Sequence, residues 1–285
     1  MAESLVLNGS IVDKRNLLND LSSKEWVQET KSFFYQKGLG AGSVEAKYEK
    51  MHPAPFSFTD VAKLLKFFTK KEGKVLDPFL GVGSTLKACI ELEREGFGVE
   101  LSSKWCGVTK KRLKEESGIK LDSEHLICGD SRGIKKYFEN DFFDFIVTSP
   151  PYWNILDKKD HKANARALNG HDTKYSEDKD DLGNITDYEK FLNELSKIFL
   201  NCYDLLKHGK YMCIVVSDFR HGSEFIAFHS DLITKLTNKS LKKRFHLKGV
   251  KVLLQNAKQL FPYGYPFSYV ENIHHQYILI LQKPK

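Results

Sequence analysis

Two short strings hold the residue types that could do chemistry in this chain. Ser149-Pro150-Pro151-Tyr152 closes the apolar run from Asp141 to Thr148. Its prolines remove backbone donors and stiffen the turn, which leaves carbonyl oxygens free to point inward. The Ser149 hydroxyl and the Pro150 carbonyl then offer acceptors for the hydrogens of a flat amino-bearing group. Tyr152 offers a face to stack on, worth roughly 1 to 3 kcal/mol where that group is a nucleobase. Such a string alone is more often an ordinary proline turn with a packed tyrosine. Its meaning changes because Asp77-Pro78-Phe79-Leu80-Gly81-Val82-Gly83-Ser84 precedes it in the same chain.

The second string follows an apolar strand pattern and opens a helical one. Gly81 and Gly83 suit a tight turn that lets backbone approach a ligand, and Ser84 suits the start of the next helix, whose N-terminus adds partial positive charge. Glu100 stands seventeen residues beyond Gly83, at the end of the next strand pattern, where a carboxylate can accept from both hydroxyls of a ribose. Asp130 ends the third in the same way. One acid at a strand end often caps the following helix; Asp77, Glu100 and Asp130 at three consecutive strand ends point to a nucleoside-bearing ligand. A dinucleotide fits poorly, since GxGxxG is absent and Asp77 precedes the glycines. S-adenosylmethionine satisfies all three acids through its ammonium, its ribose diol and its adenine amino group.

These loops need a parallel sheet to hold them at one edge. Apolar runs alternate with amphipathic stretches from residue 60 onward, the pattern of a sheet covered by helices on both faces. The expected strands span 74–79, 96–101, 125–130, 143–149, 210–217, 247–254 and 276–282. The expected helices span 59–69, 84–95, 103–116 and 188–206. This is an α/β, Rossmann-like, seven-stranded and mostly parallel sheet. Residues 1–50 read as a helical N-terminal extension, with a Ser22-Ser23-Lys24-Glu25 capping box opening a helix that runs through Trp26 and Phe33-Phe34-Tyr35 to Gly38. Gly38 to Gly42 lacks a preceding strand and reads as a joint. The remaining domain, 51–285, contains a long polar loop at 154–187 and a basic segment at 235–251.

A chain of 285 residues with 41 % hydrophobic content can bury a full core, and no run is long enough to span a membrane. Without a secretory signal, a cytoplasmic location is expected. The five cysteines have no metal-ligand spacing and are expected to be reduced and structural, and the histidines give no metal site. A net charge of +7 agrees with a polyanionic partner.

With both halves in view, the chain resembles the amino-methyltransferases of DNA, which methylate N4 of cytosine or N6 of adenine. The matching residues are His52-Pro53-Ala54-Pro55-Phe56, the string from Asp77 to Ser84, Glu100, Asp130 and Ser149-Pro150-Pro151-Tyr152. A weaker likeness runs through Asp218 and His275 to Ile280, so the resemblance covers about residues 50 to 285. It implies a class I methyltransferase-like fold with S-adenosylmethionine as cofactor, bound by His52, Pro53, Asp77, Phe79, Gly81, Gly83, Ser84, Glu100 and Asp130. Ser149, Pro150, Pro151 and Tyr152 would act on the target base, and no covalent cysteine is needed. The substrate implied is double-stranded DNA with the target base flipped out of its stack. A cognate restriction endonuclease is the partner that a restriction-modification role would add. Serine at the first position of the tetrapeptide goes mostly with cytosine N4. The interval between the two motifs leaves no room for a recognition domain, so contacts to DNA fall to the polar loop, the N-terminal segment, a partner subunit or the basic segment, where Lys242, Lys243 and Arg244 are the candidates. The rivals are adenine-N6 methylation, an RNA or protein-glutamine methyltransferase, and a non-catalytic nucleic-acid-binding subunit that keeps the fold.

Overall fold

Alternation of buried side chains along each strand sets the architecture. In β4 (Lys74–Asp77), Val75 and Leu76 are both buried but face opposite layers, and the same alternation runs through β7 (Phe143–Thr148), β8 (Leu206–Val216) and β12 (His275–Gln282). The computed structural model describes residues 4–7, 10–36, 44–52, 56–154 and 180–285. Gly38 to Gly42, Pro53 to Pro55, and most of the polar loop including His161 and His171 lie outside the described residues.

In chain order the other elements are β1 (Ser4–Leu7), β2 (Ser10–Asp13), α1 (Ser23–Glu29), β3 (Phe33–Tyr35), α2 (Val44–Met51), α3 (Phe58–Phe68), α4 (Ser84–Glu91), β5 (Glu95–Glu100), α5 (Ser103–Ser117), β6 (Leu126–Cys128), α6 (Tyr188–Leu205), β9 (Phe219–His221), β10 (Glu224–Ile226), α7 (Phe228–Thr237) and β11 (His246–Leu254). The central sheet has eight strands in the order β3-β11-β12-β8-β7-β4-β5-β6, and only β12 runs antiparallel to its neighbours. One layer packs α6 and α7 against Leu76, Ile146, Ile214 and Leu279. The other packs α3 and α4 against Val75, Phe145, Val215 and Ile278. The strand order changes direction at β4, between β7 and β5, which is where an open α/β sheet offers its ligand crevice.

The seven expected strands are all present; the eighth corrects the reading of the N-terminal segment. The capping box forms, with the Ser22 N–H donating to Glu25 Oε2 at 2.8 Å and the Glu25 N–H to Ser22 Oγ at 3.4 Å, but α1 stops at Glu29. Phe33 to Tyr35 is a strand, not helix, pairing in parallel with Val252 to Leu254. Three β-forming aromatics let Phe34 pack on the α3 layer while Phe33 and Tyr35 face outward, an arrangement no helical continuation would give. The basic segment is also resolved into parts: the end of α7, a turn, and the first residues of β11. Among the described helices none is long and apolar enough to cross a membrane.

The cysteine expectation needs correction too. Cys128 sits opposite Glu100 across β5 and β6, Cys106 lies in the first turn of α5, and the two form a disulfide with Cα atoms 6.2 Å apart. Cys89, Cys202 and Cys213 are free and buried.

A buried ion cluster fastens the second half of the N-terminal segment to this frame. Arg112 of α5, fully buried, donates to Glu116 Oε2 at 3.2 Å and Glu49 Oε1 at 3.4 Å, and Lys87 of α4 reaches Glu116 at 2.8 Å. Tyr48 adds a hydrogen bond to Glu115. Burial raises the Glu49 carboxyl above its usual range even with Arg112 beside it. Removing one partner of such a cluster strands the others in low dielectric. Arg112→Leu is therefore expected to lower the unfolding free energy in urea by about 3 kcal/mol or more, while its exposed neighbour Lys111→Leu changes it by less than about 0.5 kcal/mol.

Candidate active site

The two motif turns are joined by one carboxylate. Asp77, at the end of β4, is buried, and it accepts from the Thr148 hydroxyl at 2.6 Å, the Thr85 hydroxyl at 2.5 Å and the Phe79 N–H at 3.0 Å. Thr148 is the residue before Ser149, and Thr85 follows Ser84 in the first turn of α4. Burial pushes Asp77 up to about 6, opposed by those three bonds. Asp77, expected to hold a ligand ammonium, is not among the residues lining the cleft, and its oxygens are engaged inside the protein.

Above it, Gly81 and Gly83 take left-handed backbone, φ 57° and 80°. A Cβ on Gly83 would lie 2.6 Å from Thr109 Cγ2, and one on Gly81 would press on the His52 ring at 3.4 Å. The turn is held from outside by Arg112, which donates to the Val82 carbonyl and to Ser84 Oγ, each at 3.1 Å. Ser84 is therefore buried structure, absent from the cleft wall. His52 sits over Gly81 and edge-on to Trp105, ring centroids 4.9 Å apart.

Glu100 faces the cleft from the end of β5, accepting the Gly81 N–H and the Ser102 N–H, both at 2.8 Å. Burial pushes its carboxyl up to about 7 against those two amides, and the charges of Asp181 and Asp77 push the same way. Asp130 also lines the cleft, but it caps the short helix that follows and pairs with Arg132 at 2.9 Å.

The cleft brings His52, Phe79, Gly81, Glu100 and Asp130 together with Ser149 and Pro151. Pro150 and Tyr152 are not on its wall. Tyr152 is 7 % exposed and edge-on to Phe228, its hydroxyl accepting from Gln276 Nε2 at 2.9 Å and lying 3.5 Å from Ser149 Oγ. Burial raises its pKa. Asp218 stays off the wall as well, bonded to the His229 ring at 2.8 Å. Pro53 lies outside the described residues. Sequence reasoning missed Trp105, Arg132, Asp181 and Leu182 on the wall, and Arg112 behind it.

The basic triad is not brought to this edge. Lys242, Lys243 and Arg244 precede His246, which pairs with Gln282, itself opposite Tyr211 early in β8. That is the amino end of the parallel strands. Lys243 there pairs with Asp204 at 2.6 Å. Among the described residues no cluster could hold a metal ion.

Comparison with known sequences decides what this arrangement is. The sequence model of a DNA methylase family acting at N6 and N4 amino groups matches residues 10–111 and 143–285. The chain belongs to this DNA methylase family. Type II methyltransferase M.SmaI of Serratia marcescens is 49 % identical over 41 residues, 14 % of each chain. Type II methyltransferase M.MjaI of Methanocaldococcus jannaschii is 41 % identical over 58 residues, 20 % of this chain and 18 % of that one. The matched segments thus span under a fifth of either relative. A Thermus thermophilus protein solved in complex with S-adenosyl-L-methionine is 25 % identical, covering 55 % of this chain and 54 % of its own, with a TM-score of 0.38.

The cofactor of the family is S-adenosylmethionine, and the cleft of this methylase fits it. Phe79, Val99, Leu101 and Trp105 give apolar walls for a purine, while four acidic residues, Glu100, Asp130, Asp180 and Asp181, line the cleft against one basic residue, Arg132, a balance that suits a ligand with sulfonium and ammonium charges. A ribose diol is best accepted by ionised Glu100, which has only acceptor oxygens. Because that carboxyl is pushed up to about 7, donor binding is expected to tighten as pH rises from 6 to 8. Calorimetric Kd values should show this slope in the wild type and lose it in Glu100→Gln; an unchanged slope would put the linked proton elsewhere.

Proposed function

We propose that this methylase transfers a methyl group from S-adenosylmethionine to the exocyclic N4 of cytosine in double-stranded DNA, within a restriction-modification system. The observation that supports this reading most is the shared wall: Ser149 and Pro151 stand on the same cleft as Gly81 and Glu100. Ser149 at the head of the tetrapeptide favours cytosine over adenine.

An exocyclic amine is a poor nucleophile because its lone pair is delocalised into the ring. In this reading the Ser149 hydroxyl accepts an amino hydrogen, turns the lone pair toward the methyl carbon and stabilises part of the positive charge that develops as the N–C bond forms and the sulfonium S–C bond breaks, the surplus amino proton leaving to solvent. The donor, when bound, supplies an electrophilic methyl on sulfonium. Phe79, Trp105 and Leu182 exclude water around the reacting atoms. The amino group of a paired base is buried in the duplex, so the base has to leave its stack. Tyr152 is packed beneath the tetrapeptide, and its bond to Gln276 fixes the height of Ser149 in the cleft.

Incubation with tritiated donor and genomic DNA, followed by nucleoside digestion and mass spectrometry, is expected to yield N4-methylcytosine. Label on N6-methyladenine would reassign the base, and no label on any DNA would favour a non-catalytic binding subunit. Ser149→Ala removes one acceptor aimed at the transition state, so kcat is expected to fall by about 10²-fold or more. Donor affinity should change less than about twofold, since the hydroxyl faces the amine rather than the donor. Equal losses in both would move Ser149 to donor binding.

A further inference from the structure

Residues 255–274, between β11 and β12, form a turn that methyl transfer leaves unused. It presents Tyr263, Tyr265, Phe267 and Tyr269 to solvent at 50 %, 81 %, 93 % and 84 % exposure. Single exposed aromatics are common; four within seven residues make a patch of the kind that marks an interaction site. The turn is a fixed frame. The Phe261 N–H donates to Asn272 Oδ1 at 3.0 Å, and Asn272 Nδ2 returns a bond to the Phe261 carbonyl at 2.8 Å. The N–H groups of Phe267 and Ser268 both donate to the Gly264 carbonyl, at 2.7 and 2.8 Å. Gly264 has φ 77°, and a Cβ there would meet the Ser268 carbonyl at 2.3 Å. A backbone held this way needs little further ordering when the turn engages a partner.

Its position identifies the partner. β11 lies parallel to β8, so the turn leaves the sheet at the carboxyl edge, where the tetrapeptide stands. The Gln255 N–H closes the stem on the His274 carbonyl at 2.8 Å, Gln255 Nε2 donates to Gln276 Oε1 at 3.3 Å, and Gln276 holds the Tyr152 hydroxyl. The stem of the aromatic turn is therefore hydrogen-bonded to the tetrapeptide whose Ser149 and Pro151 line the cleft. Its residues carry one lysine, Lys258, and one acid, Glu271, so no cluster of carboxylates would repel phosphate, and the whole chain has a net charge of +7.

Resting on the DNA methylase reading above, we propose that the turn at 255–274 is a wedge for duplex DNA. Tyr265 and Phe267, at its tip, stack against or enter the base step beside the target and hold open the gap from which the target base moves into the Ser149 cleft. Extruding a base costs stacking on both sides, and aromatic or apolar side chains placed in the step offset that cost. The turn acts by positioning the substrate and touches no reacting atom.

The test uses the full chain, radiolabelled S-adenosylmethionine, and genomic DNA in native or heat-denatured form. In the double variant Tyr265→Ala, Phe267→Ala, kcat/KM on native DNA is expected to fall by roughly tenfold or more, the size of a lost base–aromatic stack. Donor Kd and thermal midpoint stay unchanged, because both rings are exposed. On denatured DNA, where no stack has to open, the variant keeps at least about half of the wild-type rate. Phe267→Trp, which keeps a stacking ring, retains the native-DNA rate. An unchanged rate on native DNA overturns the wedge, as does an equal loss on native and denatured DNA. A wild-type dimer in light scattering that the double variant converts to monomer also overturns it, by assigning the rings to a second copy. Absence of label from the wild type on either DNA overturns the methylase reading itself.

Discussion

The carboxylate of Asp77 is the constraint on which the site depends. Methyl transfer between a donor and a flat amine needs two turns, far apart in sequence, at one edge of a sheet and in a fixed relation. Asp77 meets that need by accepting from Thr148 on one side and Thr85 on the other, with the Phe79 amide as third donor. A buried carboxylate without such partners would cost several kcal/mol or take up a proton. Burial does push it up to about 6, and the three donors keep it from going further. An amide in its place could keep these three contacts only by making the Thr85 hydroxyl accept where it now donates. The charge at this position thus belongs to the frame that holds the diproline turn in register with the glycine turn.

A second buried group, Arg112, confines the glycine turn from the opposite side. Its guanidinium takes the Val82 carbonyl and Ser84 Oγ, while its other nitrogens hold Glu116 and Glu49. Glu49 belongs to α2, so the same cation fixes the helix whose end carries His52 over Gly81. Planar guanidinium, with five donors in one fork, is suited to tying a backbone carbonyl, a hydroxyl and two carboxylates in this way, where a lysine would supply a single point charge. Asp77 grips the turn from within the sheet and Arg112 from the helical layer. Between them both glycines take positive φ, and at Gly83 a Cβ would collide with Thr109.

The sequence made the sheet and both motif turns legible because their signals are local. Strand periodicity, a glycine pair after a strand, and a diproline after another are each contained within a few residues, and the seven expected strands of the central sheet appear where their patterns lie, while the β9–β10 pair was not expected. What was not legible depends on contacts distant in sequence. Arg112 reads as one more charge on an amphipathic helix until the fold places Val82 and Glu49 around it. Phe33 to Tyr35 carries an apolar run that continues a helix as readily as a strand, and only the free edge of β11 decides between them. Asp77 was correctly marked as a strand-end acid, but its partners Thr85 and Thr148 are small hydroxyls with no pattern of their own. The cluster Lys242, Lys243, Arg244 is a charge signal without direction: composition reports that cations are present, whereas strand order determines that they stand at the amino end of the sheet.

The carboxyl edge also shows why the N-terminal segment belongs to the working surface. Gln36, just beyond β3, donates to Asp60 at 2.6 Å and accepts from Gln255 at 3.0 Å; Gln255 reaches Gln276, and Gln276 reaches Tyr152. Side-chain amides both donate and accept, so three of them in sequence can carry a hydrogen-bonded line across four strand ends without any net charge. Burial pushes Asp60 up to about 6 at the far end of this line, with the Gln36 bond opposing it. The line crosses the stem of the aromatic turn and ends at the hydroxyl beneath Ser149. Placing the eighth strand at this edge gives the diproline tetrapeptide a polar support along the sheet that complements the carboxylate weld beneath it.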